Sequence, residues 1–255
     1  SRGNYPKGRT NYVRGSDLTD ATLWEVQNGS GDDWEAATDG TLNPDGTAAW
    51  WYKPHNSAQY HRLNNYDFGG VYLDEYDTSY VVSVFAKRVT TGSVSNLNRY
   101  LEIEVSGGLV NNLPPTGHSG TDSMSSVTFD LQNLTSQYAG QGAVNANGLV
   151  GDPRIENYGN GWYRCSYVFN TGRSDSDSTL GTDSSPIVVW FGHPNGLEAD
   201  DGTETGNGNP SFYLWGAQIE KGQLKSPYIP TKTRAVTVDE GTDLLDYERK
   251  IYANF

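Results

Sequence analysis

Residues 78–88 read TSYVVSVFAKR, and this stretch decides the fold. Tyr80, Val82, Val84 and Ala86 fall at every second position, so an extended chain presents all four on one face. The same period of two recurs outward along the chain. In 98–105, Leu101, Ile103 and Val105 face inward if Glu102 and Glu104 face water. In 125–131, Val127, Phe129 and Leu131 alternate with Ser126, Thr128 and Asp130, and in 161–170 Tyr163, Cys165, Tyr167 and Phe169 share a side. Further strands are expected at 47–53, 58–63, 70–74, 186–191 and 211–220. The intervening stretches 28–33, 43–46, 106–122, 139–153, 171–185 and 193–210 are dense in Gly, Pro, Asn, Asp and Ser, which supply turns. No amphipathic helix is expected before the last fifteen residues. The pattern predicts one antiparallel two-sheet sandwich of about ten strands.

Composition agrees with short strands joined by polar loops. Of 255 residues only 35% are hydrophobic, while Gly (30) and Tyr (17) are abundant. Cys165 is the single cysteine, so no intrachain disulfide and no cysteine-based metal site is expected. No window approaches a membrane-spanning length of apolar residues, and Ser1 is followed by no export signal, so membrane insertion is not expected. A net charge of −13 argues against nucleic acid as partner, because phosphates would be repelled. The charge is uneven: residues 1–16 carry Arg2, Lys7, Arg9 and Arg14 and no acid. A basic arm on an acidic body contacts something different from what the body contacts. At the other end Leu244, Tyr247, Ile251 and Phe255 recur at three- and four-residue steps, the stripe of a short helix. The expected division is a basic arm over 1–15, the sandwich over 16–240 and an anchoring tail over 241–255, with both ends fixing the chain to its neighbours.

Candidate binding residues are aromatic. Trp50-Trp51-Tyr52, with Tyr60 and His61 shortly after, is the densest cluster, and flat rings suit stacking on sugar faces. In a strand Trp50 and Tyr52 share one face and Trp51 takes the other, so at least one side is core. Trp190-Phe191-Gly192-His193 is a second cluster, with Trp190 read as core and His193 as a loop ligand. Trp162 and Trp215 are read as packing. Catalysis is not expected. A retaining glycosidase needs two carboxyls about 5–5.5 Å apart, and in jelly-roll enzymes with E-x-D-x-E on one strand the partner of Glu102 would stand at Ser106. Serine cannot act as that acid. No cofactor is expected beyond a structural calcium, for which Asp200 and Asp201, or Asp17, Asp20 and Glu220 near the first and last strands, offer hard oxygens. No complete D-x-D-x-D-G pattern occurs, and solvated turns are the favoured reading of these acids.

Several segments in fixed order resemble a family of phage structural modules with a carbohydrate-binding-type, concanavalin A-like jelly roll. They are Arg9-Thr10-Asn11, then Ser16-Asp17-Leu18 and Trp24; the turn Asn43-Pro44-Asp45-Gly46-Thr47; the strand Thr78 to Lys87; and Gly159-Asn160-Gly161-Trp162-Tyr163-Arg164-Cys165-Ser166. The last is Leu214-Trp215-Gly216-Ala217-Gln218-Ile219-Glu220-Lys221-Gly222 with Ser226-Pro227-Tyr228-Ile229-Pro230-Thr231. The chain departs from the pattern at 17–18, where Asp-Leu replaces Glu-Asp-Phe, and in the long 106–122 loop. The resemblance covers about residues 9–240 and implies an all-β, antiparallel two-sheet jelly-roll sandwich located on a virion. The expected function is a multi-copy head-decoration, head-fibre or tail-accessory protein that contacts other virion proteins and engages host-surface glycans. Two alternatives stand beside it, a cement protein without ligand and a glycan-cleaving enzyme.

Overall fold

The computed structural model describes residues 8–26, 31–65, 70–73, 75, 78–90, 96–106, 124–138, 151–171, 187–192 and 204–238. Within them lie sixteen strands. The first six are β1 (Arg9–Asn11), β2 (Glu25–Val26), β3 (Asp33–Ala36), β4 (Trp50–Lys53), β5 (Ala58–Gln59) and β6 (Arg62–Asn64). The next six are β7 (Ser79–Arg88), β8 (Tyr100–Ser106), β9 (Met124–Asp130), β10 (Thr135–Tyr138), β11 (Gly151–Gly159) and β12 (Trp162–Asn170). The last are β13 (Val188–Gly192), β14 (Glu204–Thr205), β15 (Phe212–Lys221) and β16 (Val236–Val238).

Two six-stranded sheets form the body. Sheet I runs β10-β9-β8-β13-β6-β2 and sheet II runs β11-β12-β7-β15-β4-β3. The paired ribbons β1-β16 and β14-β5 flank them. Chain order explains the architecture. β4 pairs with β15, β6 with β13, β7 with β12 and β8 with β9, all antiparallel. The chain is therefore one long hairpin whose successive pairs alternate between sheet II and sheet I. That winding is a jelly roll.

The alternation seen in the sequence builds the core. Tyr80, Val82, Val84 and Ala86 of β7 meet Leu101, Ile103 and Val105 of β8, with Val127, Phe129, Tyr167, Phe169 and Phe191 filling the space between. Each such side chain contributes roughly 1.5–3 kcal/mol on burial. The opposite face of β7 is buried too, which alternation alone does not foretell. Phe85, Trp162, Tyr213 and Trp215 form a second apolar cluster on the outer face of sheet II, closed over by Tyr228. Trp215 and Tyr228 rings lie 4.4 Å apart and Trp215 and Phe85 rings 5.2 Å. The segment after β15 thus folds back as a strap across sheet II.

Polar side chains fasten the strap. β15 carries a bulge between Trp215 and Gln218, where Gly216 adopts φ +69° and a Cβ would stand 2.8 Å from Phe85. The bulge keeps Leu214 and Ala217 in the inter-sheet core while turning Gln218 outward. It also frees backbone groups from the ladder, and Asn11 takes them up: its Nδ2 donates to Ala217 O (3.2 Å) and Ile229 O (2.8 Å), and its Oδ1 accepts from Ile219 N (3.1 Å). Gln218 Oε1 accepts from Ile229 N at 2.7 Å, and Glu220 accepts from Ser226 N (2.8 Å) and Gln218 Nε2 (2.6 Å). Arg164, 1% exposed, donates to Ser226 O at 2.7 Å and lies over Phe85. Ser16 meets Tyr228 OH at 2.6 Å and Thr231 N at 2.8 Å.

Four expectations need correction. The sandwich does not begin at residue 16: Asn11 and Val13 are fully buried and β1 pairs with β16, so 9–15 belong to the domain. Arg9 and Arg14 are drawn into it, Arg9 donating to Lys221 O and Leu224 O and Arg14 to Gly70 O. Arg2, Lys7, Leu244, Tyr247, Ile251 and Phe255 lie outside the described residues. The turn-rich stretch expected over 139–153 runs into β11, which begins at Gly151. β11 is an edge strand, where one side of the ladder is unpaired and a register shift between Gly151 and Arg154 accommodates Pro153. The expected strand at 58–63 breaks into β5 and β6 on separate sheets, and of the described residues in 70–74 only Val71 pairs, in an isolated bridge with Ile187.

We expect Asn11→Ala to lower stability by about 1–3 kcal/mol, the cost of orphaning buried backbone groups. Urea unfolding should show a lower midpoint with an unchanged slope; an unchanged midpoint would refute the role given to Asn11.

Candidate functional site

The two sheets differ in what lies on their outer faces. Sheet II is covered on both sides, while no apolar layer comparable to the strap's clusters on the outer face of sheet I among the described residues. That face is polar because the core-facing positions of β8, β9 and β13 leave Glu102, Glu104, Ser126, Thr128 and Trp190 pointing outward. Strand register lines them up in two rows. One runs Arg62, Gly192, Glu102, Thr128, Gln137 and the next Glu25, Asn64, Trp190, Glu104, Ser126.

Gly192 lets the rows communicate. A Cβ there would meet Arg62 Cγ at 3.0 Å, so the arginine stem crosses the strand only because no side chain stands in its way. Arg62 then reaches both acids on β8, with Nη1 3.1 Å from Glu104 Oε2 and Nη2 3.7 Å from Glu102 Oε2. Ser126 Oγ donates to Glu102. The guanidinium carbon lies 5.0 Å from the Tyr60 ring centroid and 5.7 Å from that of Trp190. Trp190 is fixed by its indole N–H, which donates to Ser106 Oγ at 2.9 Å. Tyr60 is 41% exposed and Trp190 is half-buried. The result is an exposed ring, a cation and a second ring, standing on two carboxylates.

This arrangement differs from the sequence expectation. Glu102 and Glu104 lie on the outer face but are only 2% and 5% exposed, and Ser126 and Thr128 beside them are buried as well. They serve as footing for Arg62, not as water-facing charges. Trp190, expected in the core, is on the outer face. Tyr60 belongs to the aromatic cluster that the sequence offers, but Arg62 does not stand out, since a lone arginine carries no signal until the register shows Gly192 between it and the acids.

In the aromatic cluster at 50–52 only Tyr52 is core, while Trp50 and Trp51 are half-buried. Tyr52 is buried, with its hydroxyl donating to Asp32. Trp50 packs on Trp34 at 5.8 Å, and Trp51, on the opposite face, donates its indole N–H to Glu35 at 3.1 Å. His61 is buried as well: Nδ1 lies 2.7 Å from Asp32 Oδ1, and Nε2 faces Gly206 N at 3.1 Å. Nε2 also lies 3.0 Å from Ser57 O. Neither Tyr52 nor His61 offers a face to a ligand. His193 lies outside the described residues.

The calcium candidates do not converge. Asp17 pairs with Lys232 at 3.0 Å, Asp20 closes a turn on Thr22, and Glu220 is engaged by Ser226 and Gln218. Among the described residues no group of three metal-ligating side chains gathers. Asp200 and Asp201 lie outside them.

No family model and no curated protein matches the chain. Among solved structures it is similar to the carbohydrate-binding and catalytic modules of Clostridium thermocellum endo-1,4-β-D-xylanase 10B complexed with xylohexaose. Identity is 13% and the TM-score 0.39, over 89% of this chain and 30% of that one. The chain thus spans less than a third of that protein's length.

The Asp32 network titrates. Burial raises the carboxyl's pKa, but hydrogen bonds from His61, Tyr52 and the His55 N–H outweigh it, and the net value is lowered. A depressed folded-state pKa gives stability that is present above the unfolded value of about 3.9 and lost as pH falls through the folded one. Asp32→Asn should therefore lower the unfolding midpoint at neutral pH and make its decline below about pH 4 shallower than in the parent. Parallel declines would show that Asp32 contributes nothing to acid unfolding.

Proposed function

We propose that this chain is a non-catalytic, glycan-binding β-sandwich module displayed on a bacteriophage particle, where it engages host-surface sugars. The observation that carries the binding half is the Tyr60–Arg62–Trp190 platform. Aromatic rings stack on the apolar faces of pyranose rings, and a fixed guanidinium donates to hydroxyls in directions set in advance. The carboxylates beneath hold the guanidinium in place, so little side-chain freedom is lost on binding. The particle location is supported by the resemblance of the 159–166, 214–222 and 226–231 segments to phage structural modules.

Binding is favoured over cleavage by the state of the two acids. Both are nearly covered and ion-paired to one arginine, whereas a glycosidase needs one carboxylic acid free to give up a proton and one carboxylate free to attack.

Glycan arrays of host envelope and capsular sugars, followed by titration of the best ligand, test the reading. Trp190→Ala and Tyr60→Ala should each weaken binding by about 0.5–1.5 kcal/mol, roughly two- to tenfold. Unchanged affinity in both, with the fold intact, would place the ligand elsewhere. Incubation with the same glycans should release no oligosaccharide. Release that disappears in Glu102→Gln would overturn the non-catalytic reading.

A further inference from the structure

The strap leaves a second feature on the far side of the sandwich. Where it crosses β11 and β12, a cavity of about 310 Å³ opens beside Lys225 and Arg164. That is near the lower end of the range of small-molecule sites, roughly 300–1,000 Å³. Two cations share this one cavity in a protein of net charge −13.

Each cation keeps donors in hand. Arg164 has five N–H groups. Its Nε and Nη2 reach Ser83 Oγ at 3.3 and 3.0 Å and Nη1 reaches Ser226 O, which leaves one N–H on each terminal nitrogen. Lys225 has three donors and pairs with Glu156. Its side chain is 10% exposed while that of Glu156 is 39% exposed, so the lysine is the deeper partner and the acid stands at the rim. Burial, reinforced by Arg164 and Arg154 nearby, pulls the lysine's pKa down against the pull of Glu156. A second anion would relieve that strain.

The rest of the lining fits a hydroxylated ligand better than a greasy one. Tyr158 contributes a ring held edge-on to Phe85 at 4.9 Å, Pro227 a small apolar wall, and Asn157 an amide whose oxygen accepts from Gly159 N. A ring, an amide and two cations match a single sugar ring bearing a carboxylate.

We propose that this cavity is a subsite for an acidic sugar of the hexuronate class, whose carboxylate lies between Lys225 and Arg164. The carboxylate takes the free donors of both, and Glu156 competes with it for Lys225. The subsite lies on sheet II and the strap, apart from the Tyr60–Arg62–Trp190 platform on sheet I, so the two stand or fall separately.

The full chain is titrated with galacturonate, glucuronate, a trigalacturonate and the neutral sugars galactose and glucose, followed by calorimetry and by amide shifts of 156–158 and 225–227. At least one uronate should bind with its shifts centred on those residues and at least tenfold tighter than its neutral counterpart. A monosaccharide that suffices marks a one-ring subsite; a requirement for the trimer marks an internal chain residue. Lys225→Met should weaken uronate binding at least tenfold and Glu156→Gln should tighten it. Arg164 is avoided because it fastens the strap. No preference for uronate over neutral sugar, or Lys225→Met with normal unfolding and undiminished affinity, overturns the proposal. So does weaker binding in Glu156→Gln, which would make the ion pair a support of the cavity wall.

Discussion

A carboxamide and a carboxylate buried on the outer face of sheet II hold this molecule together. Gln218 and Glu220 are almost wholly inaccessible, and each is tolerable there only because the strap brings the partners that satisfy it. The dependence is mutual. Without the strap, Phe85, Trp162, Tyr213 and Trp215 would form an exposed apolar patch, and without Gln218 and Glu220 the strap would lack its register. The bulge at Gly216 makes both possible by turning Gln218 outward while Ala217 stays in the core.

This constraint also explains what the sequence motifs carry. The segments that resemble phage modules are the ones that meet at the strap: Asn11 and Ser16 from the first, Trp162 and Arg164 from the next, Gln218 and Glu220 from the last, Ser226, Tyr228 and Thr231 from the strap itself. Even the Asn43 turn participates, since Leu42 O accepts from the Trp162 indole at 3.1 Å. They specify a way of closing a sandwich. The platform on sheet I draws on none of them, so the resemblance speaks to architecture and not to the ligand.

What could be read in advance follows from which forces are local. The inward faces of β7, β8, β9 and β12 were legible because inter-sheet burial imposes a period of two on neighbouring residues. The edge strands were not, because β3, β10 and β11 bury little and so carry polar sequences indistinguishable from turns. The platform was illegible for a different reason. It joins Tyr60 and Arg62 to Trp190 and to Glu102 and Glu104, residues far apart in the chain, and only the β6-β13-β8 register makes them neighbours. Conversely, the dense run Trp50-Trp51-Tyr52 looked like a binding surface, yet its rings are divided between two faces of one strand and engaged by Asp32, Glu35 and Trp34.

The pairing of β1 with β16 has a mechanical side. Arg9 lies opposite Val238 and Asn11 opposite Val236, so the chain enters and leaves the sandwich at one point. Tension applied between residues 9 and 238 would load this short ladder one hydrogen bond at a time, in unzipping geometry, before any force reached the long strands. The next resistance met would be the grip of Asn11 and Ser16 on β15 and the strap. A module tethered through these two ends would yield first at a reversible clasp of three residue pairs, leaving the jelly roll and its sheet I platform unstretched.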